Sequence, residues 1–366
     1  MKNEVISERQ GVILIILFII GSSFLQGSGG LAKQDAWLAI IIAITWSILL
    51  LLMYSRILSL YPGKDLFDIL QILMGKSIGK VVSILMIWFA FHDGTIIVTN
   101  LSEFSKTLVY DDTPISVPMI FFSLLLIWGI KEGIEVLGRW SEFFVFVVII
   151  LFVLVTLLAI PQMDLDRVKP ILSNGVSPVL KGAFSSFSYP FGETVIFMMV
   201  FSKISKTKNY KKTFMLGLLI GGGLIFLATL RNILILGSNT ISRVYFPSTM
   251  AISLVRIGTI IERMEMFVNI NFLIGVYVKV CICIFAVCNG ISKVFGYDDY
   301  KFIATPITLL MLAFSFFVYK NIMEMSFFAF NIWQFYSFPF EVIIPFIVFV
   351  MAEIKNRSSN STISNK

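Results

Sequence analysis

Long apolar segments, separated by short polar connections, make up almost the whole chain. A helix needs about 20 mainly apolar residues to cross the hydrocarbon core of a bilayer, and most of the apolar segments are close to that length. The pattern predicts an all-α polytopic membrane protein with ten transmembrane helices. These are Gln10–Leu31, Ala36–Leu60, Val81–Leu108, Ile115–Ile130, Glu142–Ile160, Leu180–Phe201, Lys212–Leu236, Met264–Ile291, Phe302–Tyr319 and Phe335–Ile354.

Two of the ten segments are interrupted by residues that disfavour a regular helix. The first contains the small-residue stretches Gly21–Ser23 and Gly27–Gly30, and the sixth contains Ser188–Glu193 with a proline and a glycine. Inside a membrane, a broken helix is tolerated only where protein or a water-filled cavity supplies the missing hydrogen bonds. We therefore expect the two broken segments to form a ligand site near the middle of the membrane.

The two breaks divide the chain into equivalent halves. Ten spans separate into five plus five, and the first and sixth spans each open one half. Because five is an odd number, the halves cross the membrane in opposite directions, as in an inverted repeat. We predict one transmembrane domain over residues 1–354, with repeat one at about residues 10–160 and repeat two at about residues 180–354.

Composition and charge agree with a membrane protein and predict its orientation. Of the 366 residues, 57% are hydrophobic and only 14% are charged, and the mean hydropathy is +0.90. The net charge of +7 does not indicate a nucleic-acid partner, because Lys and Arg concentrate in the connections on one side of the predicted bilayer. We expect both termini in the cytoplasm and a disordered tail over residues 355–366.

The first break supplies small residues and backbone amides. Unwinding at Gly21, Ser22 and Ser23, just before Phe24, would expose N–H groups at the start of the second half-helix. These amides and the positive end of the helix dipole suit a carboxylate or another anion. The alternative is that the small residues only allow close helix packing. The density of glycine between Gly21 and Gly30 favours unwinding.

The second break adds a carboxylate. Pro190 removes a backbone donor, and Gly192 permits backbone angles that are closed to other residues. We expect Tyr189, Pro190, Phe191, Gly192 and Glu193 to contribute to the ligand site. An acid near mid-membrane usually faces a cavity or a partner, so Glu193 would accept a ligand ammonium group or carry a proton. The alternative is a protonated acid that only satisfies the amides freed by the break.

Lys279 is a second charge predicted to lie deep in the membrane. It is about the fifteenth residue of the eighth span, so its side chain cannot easily extend to the membrane surface. Lys279 would be the counter-ion of Glu193, or a fixed positive charge in place of a sodium ion. A purely structural ion pair explains the residue equally well.

The third span carries five further polar residues of interest. His92 and Asp93 would line the pathway or pair with each other. Thr95 and Asn100 are candidate hydrogen-bonding residues for a ligand, and Glu103 is a candidate charge partner or coupling residue.

No pattern in the chain indicates catalysis, a metal site or a bound cofactor. A P-loop, a GxSxG motif and the His/Cys spacing of metal sites are missing from the sequence. Cys281, Cys283 and Cys288 lie in one apolar segment, far in sequence from the single histidine, and are expected to be buried core residues. We expect neither an enzyme nor a cofactor.

Short motifs along nearly the whole chain resemble one known family. The motifs are Ile6-Ser7 with Gln10, Gly21–Ser23, Gln34–Leu38, Tyr61-Pro62, Gly75–Gly79, Glu135–Arg139, Tyr189–Glu193 and Val278-Lys279. Together they resemble the spore germination permeases, the B subunits of the GerA-type nutrient germinant receptors. The most specific parts are the Gln-Asp-Ala-Trp stretch and the Pro-Phe-Gly-Glu break. Family members often have a proline in the outer half of the first span, where this chain has Gln26–Gly30.

The resemblance implies a LeuT-type fold of the amino acid–polyamine–organocation transporter superfamily, with ten spans. It implies a membrane subunit of a receptor in the spore inner membrane. Such a subunit binds a small germinant, typically an amino acid, and triggers germination together with an A subunit and a lipoprotein C subunit. The alternative function is an active amino-acid transporter with proton coupling through Glu193 or Lys279.

Overall fold

The computed structural model describes residues 4–108, 114–203, 209–241, 243–255 and 263–364. Within these ranges the chain is helical and forms no β-strand. The α-helices are α1 (Glu8–Ile20), α2 (Ser23–Gln26), α3 (Ala36–Leu60), α4 (Leu66–Leu108), α5 (Ser116–Glu132), α6 (Ile134–Ala159), α7 (Val176–Ser186), α8 (Tyr210–Leu236), α9 (Ser238–Ile241), α10 (Pro247–Ser253), α11 (Glu265–Phe295), α12 (Lys301–Ser315), α13 (Ile322–Phe327), α14 (Trp333–Phe338) and α15 (Ile344–Ser364).

These helices form the ten predicted spans. Six helical segments in the described part of the chain are long enough and apolar enough to cross a membrane, while α5 and α12 are shorter, at 17 and 15 residues. The first span consists of α1 and α2. The sixth consists of α7, a π-helical turn at Phe187–Phe191 and a 3₁₀ helix at Gly192–Met199. The tenth joins α13, α14 and α15 through π-helical turns at Phe328–Ile332 and Pro339–Ile343.

Three observed boundaries differ from the predicted ones. Helix α4 begins at Leu66, with a non-helical Gly75 inside it, and α6 begins at Ile134. The tenth span starts at Ile322 and its helix continues to Ser364. The hydropathy pattern misses these additional helical turns because they contain charged residues. Residues 355–366, where the sequence predicts disorder, lie partly in this last helix and partly outside the described residues.

A capping box starts the first span. The Ser7 hydroxyl accepts a hydrogen bond from the Gln10 N–H at 3.1 Å, and Gln10 Oε1 accepts one from the Ser7 N–H at 2.9 Å. The pair satisfies N–H groups that a helix start leaves free. A Cβ added at Gly138 would lie 3.4 Å from Gln10 Cβ. Motifs from the first and fifth spans therefore meet in one packing contact.

The Gln34-Asp35 pair ties the connection after the first span to the loop before the sixth. Gln34 Nε2 donates to the Ser173 hydroxyl at 2.6 Å, and Asp35 Oδ1 accepts from the Leu172 N–H at 3.0 Å. This motif therefore links the two halves of the protein at one end of the bundle.

Helix α11 is the central element of the bundle. Twenty of its 31 residues are buried, as expected for a helix that is apolar nearly all round. It contacts α1, α4 and α6, and so brings the eighth span against the first, third and fifth.

Glycines let α8 approach α1 closely. A Cβ added at Gly217 would lie 2.7 Å from the Cβ of Ile15, and one added at Gly221 would lie 3.1 Å from the Cβ of Ile19. Gly223 has open space at the same position. Only some glycines of this helix therefore depend on their small size.

We expect Gly217→Ala to destabilise the protein by about 1–3 kcal/mol, because β-branched Ile15 cannot swing away from the added methyl group. Gly223→Ala is the matched control. It should be neutral, or stabilising by up to about 1 kcal/mol, because alanine favours a helix. Unfolding of both variants in detergent measures the difference, and equal losses would contradict the packing argument.

Candidate functional site

The breaks of the first and sixth spans face each other in the middle of the bundle. Between α1 and α2 the helix stops at Gly21, whose backbone is non-helical. In the sixth span Tyr189 leaves the helical region, with φ −114° and ψ 112°. The Tyr189 hydroxyl donates a hydrogen bond to the Ser22 hydroxyl and lies 2.9 Å from Gln26 Oε1. The two breaks therefore touch through a tyrosine.

Close backbone contact brings α11 to the first break. A Cβ added at Gly275 would lie 2.8 Å from the Gly21 Cα, and one added at Gly21 would lie 2.9 Å from Lys279 Cδ. A side chain at either glycine would therefore push the first and eighth spans apart. Because Gly21 and Gly275 have no side chains, Lys279 can reach the centre of the site.

Lys279 forms a fully buried ion pair with Glu193. The Lys279 Nζ to Glu193 Oε2 distance is 2.5 Å, and neither side chain is exposed by more than 1%. The ammonium also lies over the rings of Phe18 and Tyr189, at 4.9 and 4.8 Å from the ring centroids. Two of the charges singled out in the sequence are thus direct partners.

Asp93 is a second acid in the same cluster. Its carboxyl group lies near Glu193 and accepts a hydrogen bond from the Cys283 thiol at 3.5 Å. Two carboxyl oxygens attract each other only when one carries a proton. A single proton on the two acids would leave them a charge of about −1, which Lys279 would neutralise. His92, in contrast, faces an aromatic cluster that includes Trp88, with the two rings 5.7 Å apart.

A closed cavity of about 20 Å³ lies beside this cluster. It is large enough for about one water molecule. It is lined by Ser22, Gln26, Asp93, Ile96, Ile97, Asn100, Tyr189, Glu193, Ala329 and Trp333. A ligand larger than water would enter only after the surrounding spans or side chains move apart.

Of the residues predicted in the two breaks, Ser22, Tyr189 and Glu193 line this cavity. Phe24 instead stacks on the ring of Phe152, with centroids 5.1 Å apart. The Thr95 hydroxyl donates to the Phe91 carbonyl at 2.9 Å, so it is used within its own helix.

The remaining predicted residues pack around the site without lining the cavity. Gly21 and Gly192 are positions of close contact, and Ser23, Pro190 and Phe191 are buried outside the cavity wall. The second half-helix of the first span is the single turn Ser23–Gln26. Because so short a helix has little dipole, the predicted anion site at its start has weaker support than the second break.

Glu103 does not belong to the charged cluster. Its carboxylate pairs with Lys106 at 2.6 Å, toward the end of α4. It lies ten residues beyond Asp93, which is about 15 Å along a helix. Glu103 is therefore separate from the Lys279–Glu193 pair, because polarity within a span does not reveal depth.

Asn100 on α4, a candidate hydrogen-bonding residue from the sequence, lines the cavity. It is buried, and neither atom of its amide has a hydrogen-bond partner. Asp93, Ile96, Ile97 and Asn100 follow helical spacing along one face, a signal already present in the sequence. No comparable sequence pattern indicated the other lining residues Gln26, Ala329 and Trp333.

Glu341 in the tenth span is a third buried acid, also missed from the sequence. Ser188 donates to its Oε2 at 2.9 Å, and Tyr54 donates to its backbone carbonyl. Its Oε1 has no partner, and no Lys or Arg pairs with it in the described residues. An unpaired charge is very costly in such a place, so Glu341 should carry a proton. Gly192 gives it room, since a Cβ there would collide with the carboxyl group.

A polar network closes the bundle at the end that holds the chain termini, which we call the terminal end. Lys293 Nζ lies 2.6 Å from Asp65 Oδ2. Asn289 Nδ2 donates to the same carboxylate at 3.0 Å and to the Met199 carbonyl at 2.9 Å. The ends of the sixth and eighth spans are thereby tied to the residue that precedes α4.

The described residues hold no group of three or more His, Cys, Asp or Glu side chains arranged to bind a metal ion. The three cysteines are free and buried.

Comparison with known proteins gives a consistent family. A family model described as "Spore germination protein" matches residues 5–325. Spore germination protein KB of Bacillus subtilis (strain 168) is 29% identical over 361 residues, which cover 98% of this chain and 97% of the relative. Spore germination protein A2 of the same organism is 23% identical, with 95% of each chain covered.

Solved transporter structures share the fold. Mhp1, a nucleobase-cation-symport-1 family transporter in a closed conformation with bromovinylhydantoin bound, superposes with a TM-score of 0.69 at 13% identity, covering 95% of this chain and 78% of that one. MhsT in complex with L-phenylalanine gives 0.62 at 14% identity, covering 91% and 88%. The likeness confirms the predicted LeuT-type fold with broken first and sixth spans.

We expect Lys279→Met to lower the free energy of unfolding by about 3–5 kcal/mol, because it leaves a buried acid without its counter-ion. Adding Glu193→Gln should recover part of that loss, since the double variant has no uncompensated charge. Unfolding of both single variants and the double variant in detergent gives the coupling energy. Strictly additive losses would contradict a direct buried pair.

We expect Glu341→Gln to remain within about 1 kcal/mol of the unmodified protein, because a neutral amide can replace a protonated carboxyl group. Glu341→Ala should cost about 2–4 kcal/mol, from the cavity and the unpaired Ser188 hydroxyl. The same unfolding assay compares the two. A glutamine variant as unstable as the alanine variant would mean that Glu341 is ionised.

Proposed function

The chain belongs to the spore germination protein family, and on that premise we propose that it is the membrane subunit of a nutrient germinant receptor. It binds a small germinant, an amino acid in this proposal, and triggers germination together with an A subunit and a lipoprotein C subunit. The observation that carries the proposal is the closed cavity between two broken spans, which has an unpartnered amide at one side and a charged cluster at the other.

The cavity wall matches the two ends of an amino acid. The acids of the cluster suit an ammonium group, while the Asn100 amide and the Ser22 hydroxyl suit a carboxylate. The Trp333 ring and two isoleucines offer apolar contact for a side chain. MhsT, which shares the fold, was solved with L-phenylalanine. The proposal assigns no catalytic activity.

Binding would work by favouring an open conformer over the closed one. The cavity of about 20 Å³ is too small for an amino acid, so the germinant must stabilise a conformer in which the Tyr189 contact to Ser22 and Gln26 is broken. A ligand shifts such an equilibrium by its difference in affinity for the two states. The partner subunits would respond to the new conformer.

The orientation follows the charge pattern. We place the receptor in the spore inner membrane with both termini in the cytoplasm. The two repeats, at about residues 10–160 and 180–354, belong to one transmembrane domain.

The second candidate function is an amino-acid transporter driven by protons. The two neighbouring acids Asp93 and Glu193 favour it, because a group that gains and loses a proton at the ligand site can couple two fluxes. Uptake of labelled amino acid by proteoliposomes, with and without a pH gradient, distinguishes it from the receptor. A receptor binds the amino acid without saturable uptake.

We expect Asn100→Leu to abolish nutrient-triggered germination or to raise the required nutrient concentration at least about tenfold, because a buried, unpartnered amide of the cavity wall is lost. Thr95→Val on the same helix is the matched control, since its hydroxyl serves the backbone. Germination of spores carrying each variant, at equal protein levels, is the measurement. An unchanged response of the Asn100 variant would overturn the assignment of the cavity.

A further inference from the structure

A second and larger cavity lies at the end of the bundle opposite to the terminal end. It has a volume of about 500 Å³ and lies between the connection after α2, helix α8, the segment around α10 and the start of the tenth span. We call it the vestibule. Gln26 lines both the vestibule and the closed cavity, so the two spaces are neighbours.

The charged side chains that line the vestibule are all positive. Lys33 and Arg243 contribute to its wall, and no Asp or Glu lies among the lining residues that the structure describes. Neither cation forms an ion pair with a residue in the described part of the chain. In a cleft with apolar walls, charges of one sign concentrate ions of the opposite sign.

A third positive charge lies directly behind the wall. Arg231 is buried, with 3% of its surface exposed. Its Nη2 and Nε donate to Asn232 Oδ1 at 3.1 and 3.3 Å, and its Nη1 lies 3.4 Å from the Thr156 hydroxyl. These acceptors are neutral, and no carboxylate pairs with Arg231 among the described residues. Asn232 itself lines the vestibule.

Two buried hydroxyl groups of the vestibule wall lack partners. Ser28 and Thr229 are each only 6% exposed, both line the cavity, and neither hydroxyl has a hydrogen-bond partner in the described part of the chain. A buried polar group without a partner is costly. A ligand oxygen in the vestibule would satisfy them.

We propose that the vestibule is a binding site for a small organic anion with an apolar body, separate from the closed cavity. Lys33 and Arg243 attract its carboxylate, Ser28 and Thr229 donate hydrogen bonds to it, and the uncompensated charge of Arg231 adds to the positive field. The rings of Phe327 and Phe330, which line the same cavity, contact its apolar part. This site stands independently of the proposed receptor function.

Binding of matched fluorinated probes tests the proposal. The full chain is placed in phosphatidylcholine nanodiscs, and ¹⁹F NMR line broadening measures the affinity for 4-fluorobenzoate, neutral 4-fluorobenzamide and cationic 4-fluorobenzylamine. We expect the benzoate to bind at least about tenfold more tightly than either of the others. Lys33→Gln with Arg243→Gln should weaken benzoate binding about tenfold or more and leave amide binding unchanged.

The control changes the same net charge outside the vestibule. Lys169→Gln with Lys181→Gln removes two exposed lysines from the same end of the bundle and should leave benzoate binding unchanged. Equal affinities for the three probes, or equal losses in the two double variants, would overturn the proposal.

Nanodiscs that also contain phosphatidylglycerol distinguish the source of the anion. Benzoate binding that persists there assigns the site to a soluble anion. Phosphatidylglycerol can instead abolish benzoate binding to the unmodified protein and leave the residual binding of the Lys33→Gln, Arg243→Gln variant unchanged. That result assigns the same oxyanion chemistry to a lipid headgroup.

Discussion

The need to neutralise Lys279 inside the membrane is the constraint on which the rest of the site depends. A buried ammonium is tolerated only with a close counter-ion, and Glu193 meets this need at 2.5 Å. The pair can form only because the sixth span is broken where Glu193 sits and because Gly21 and Gly275 let the first and eighth spans touch. The breaks, the glycines and the charges therefore form one interdependent unit.

Charge differs between the two spaces that Gln26 lines. Around the closed cavity, two acids and one lysine, with a single proton on the acids, would sum to about zero, which suits a zwitterion or a neutral molecule. Among the described residues, the charged side chains that line the vestibule are all positive. The two spaces therefore differ in the net charge of the molecule that each would favour.

The sequence alone predicted the spans and the two breaks, because hydropathy and the backbone preferences of Gly and Pro are local properties. It also drew attention to Ser22, Tyr189 and Glu193, which lie in those breaks. It was insufficient for Trp333 and Glu341, because the rotation of the tenth span about its axis depends on packing and on two π-helical turns. The distance of Glu103 from the charged cluster was hidden for a related reason, since a residue's depth depends on where its helix ends.

The helix that follows the second break has an unusual length for its type. Runs of 3₁₀ helix longer than three or four residues are uncommon, yet Gly192–Met199 extends over eight residues. A residue rises about 2.0 Å in a 3₁₀ helix and about 1.5 Å in an α-helix. Rewinding of this segment into an α-helix would therefore shorten it by about 4 Å and pull the Met199 carbonyl away from Asn289. A change at Glu193 that rewinds the segment would then displace the backbone along the helix axis at the terminal end.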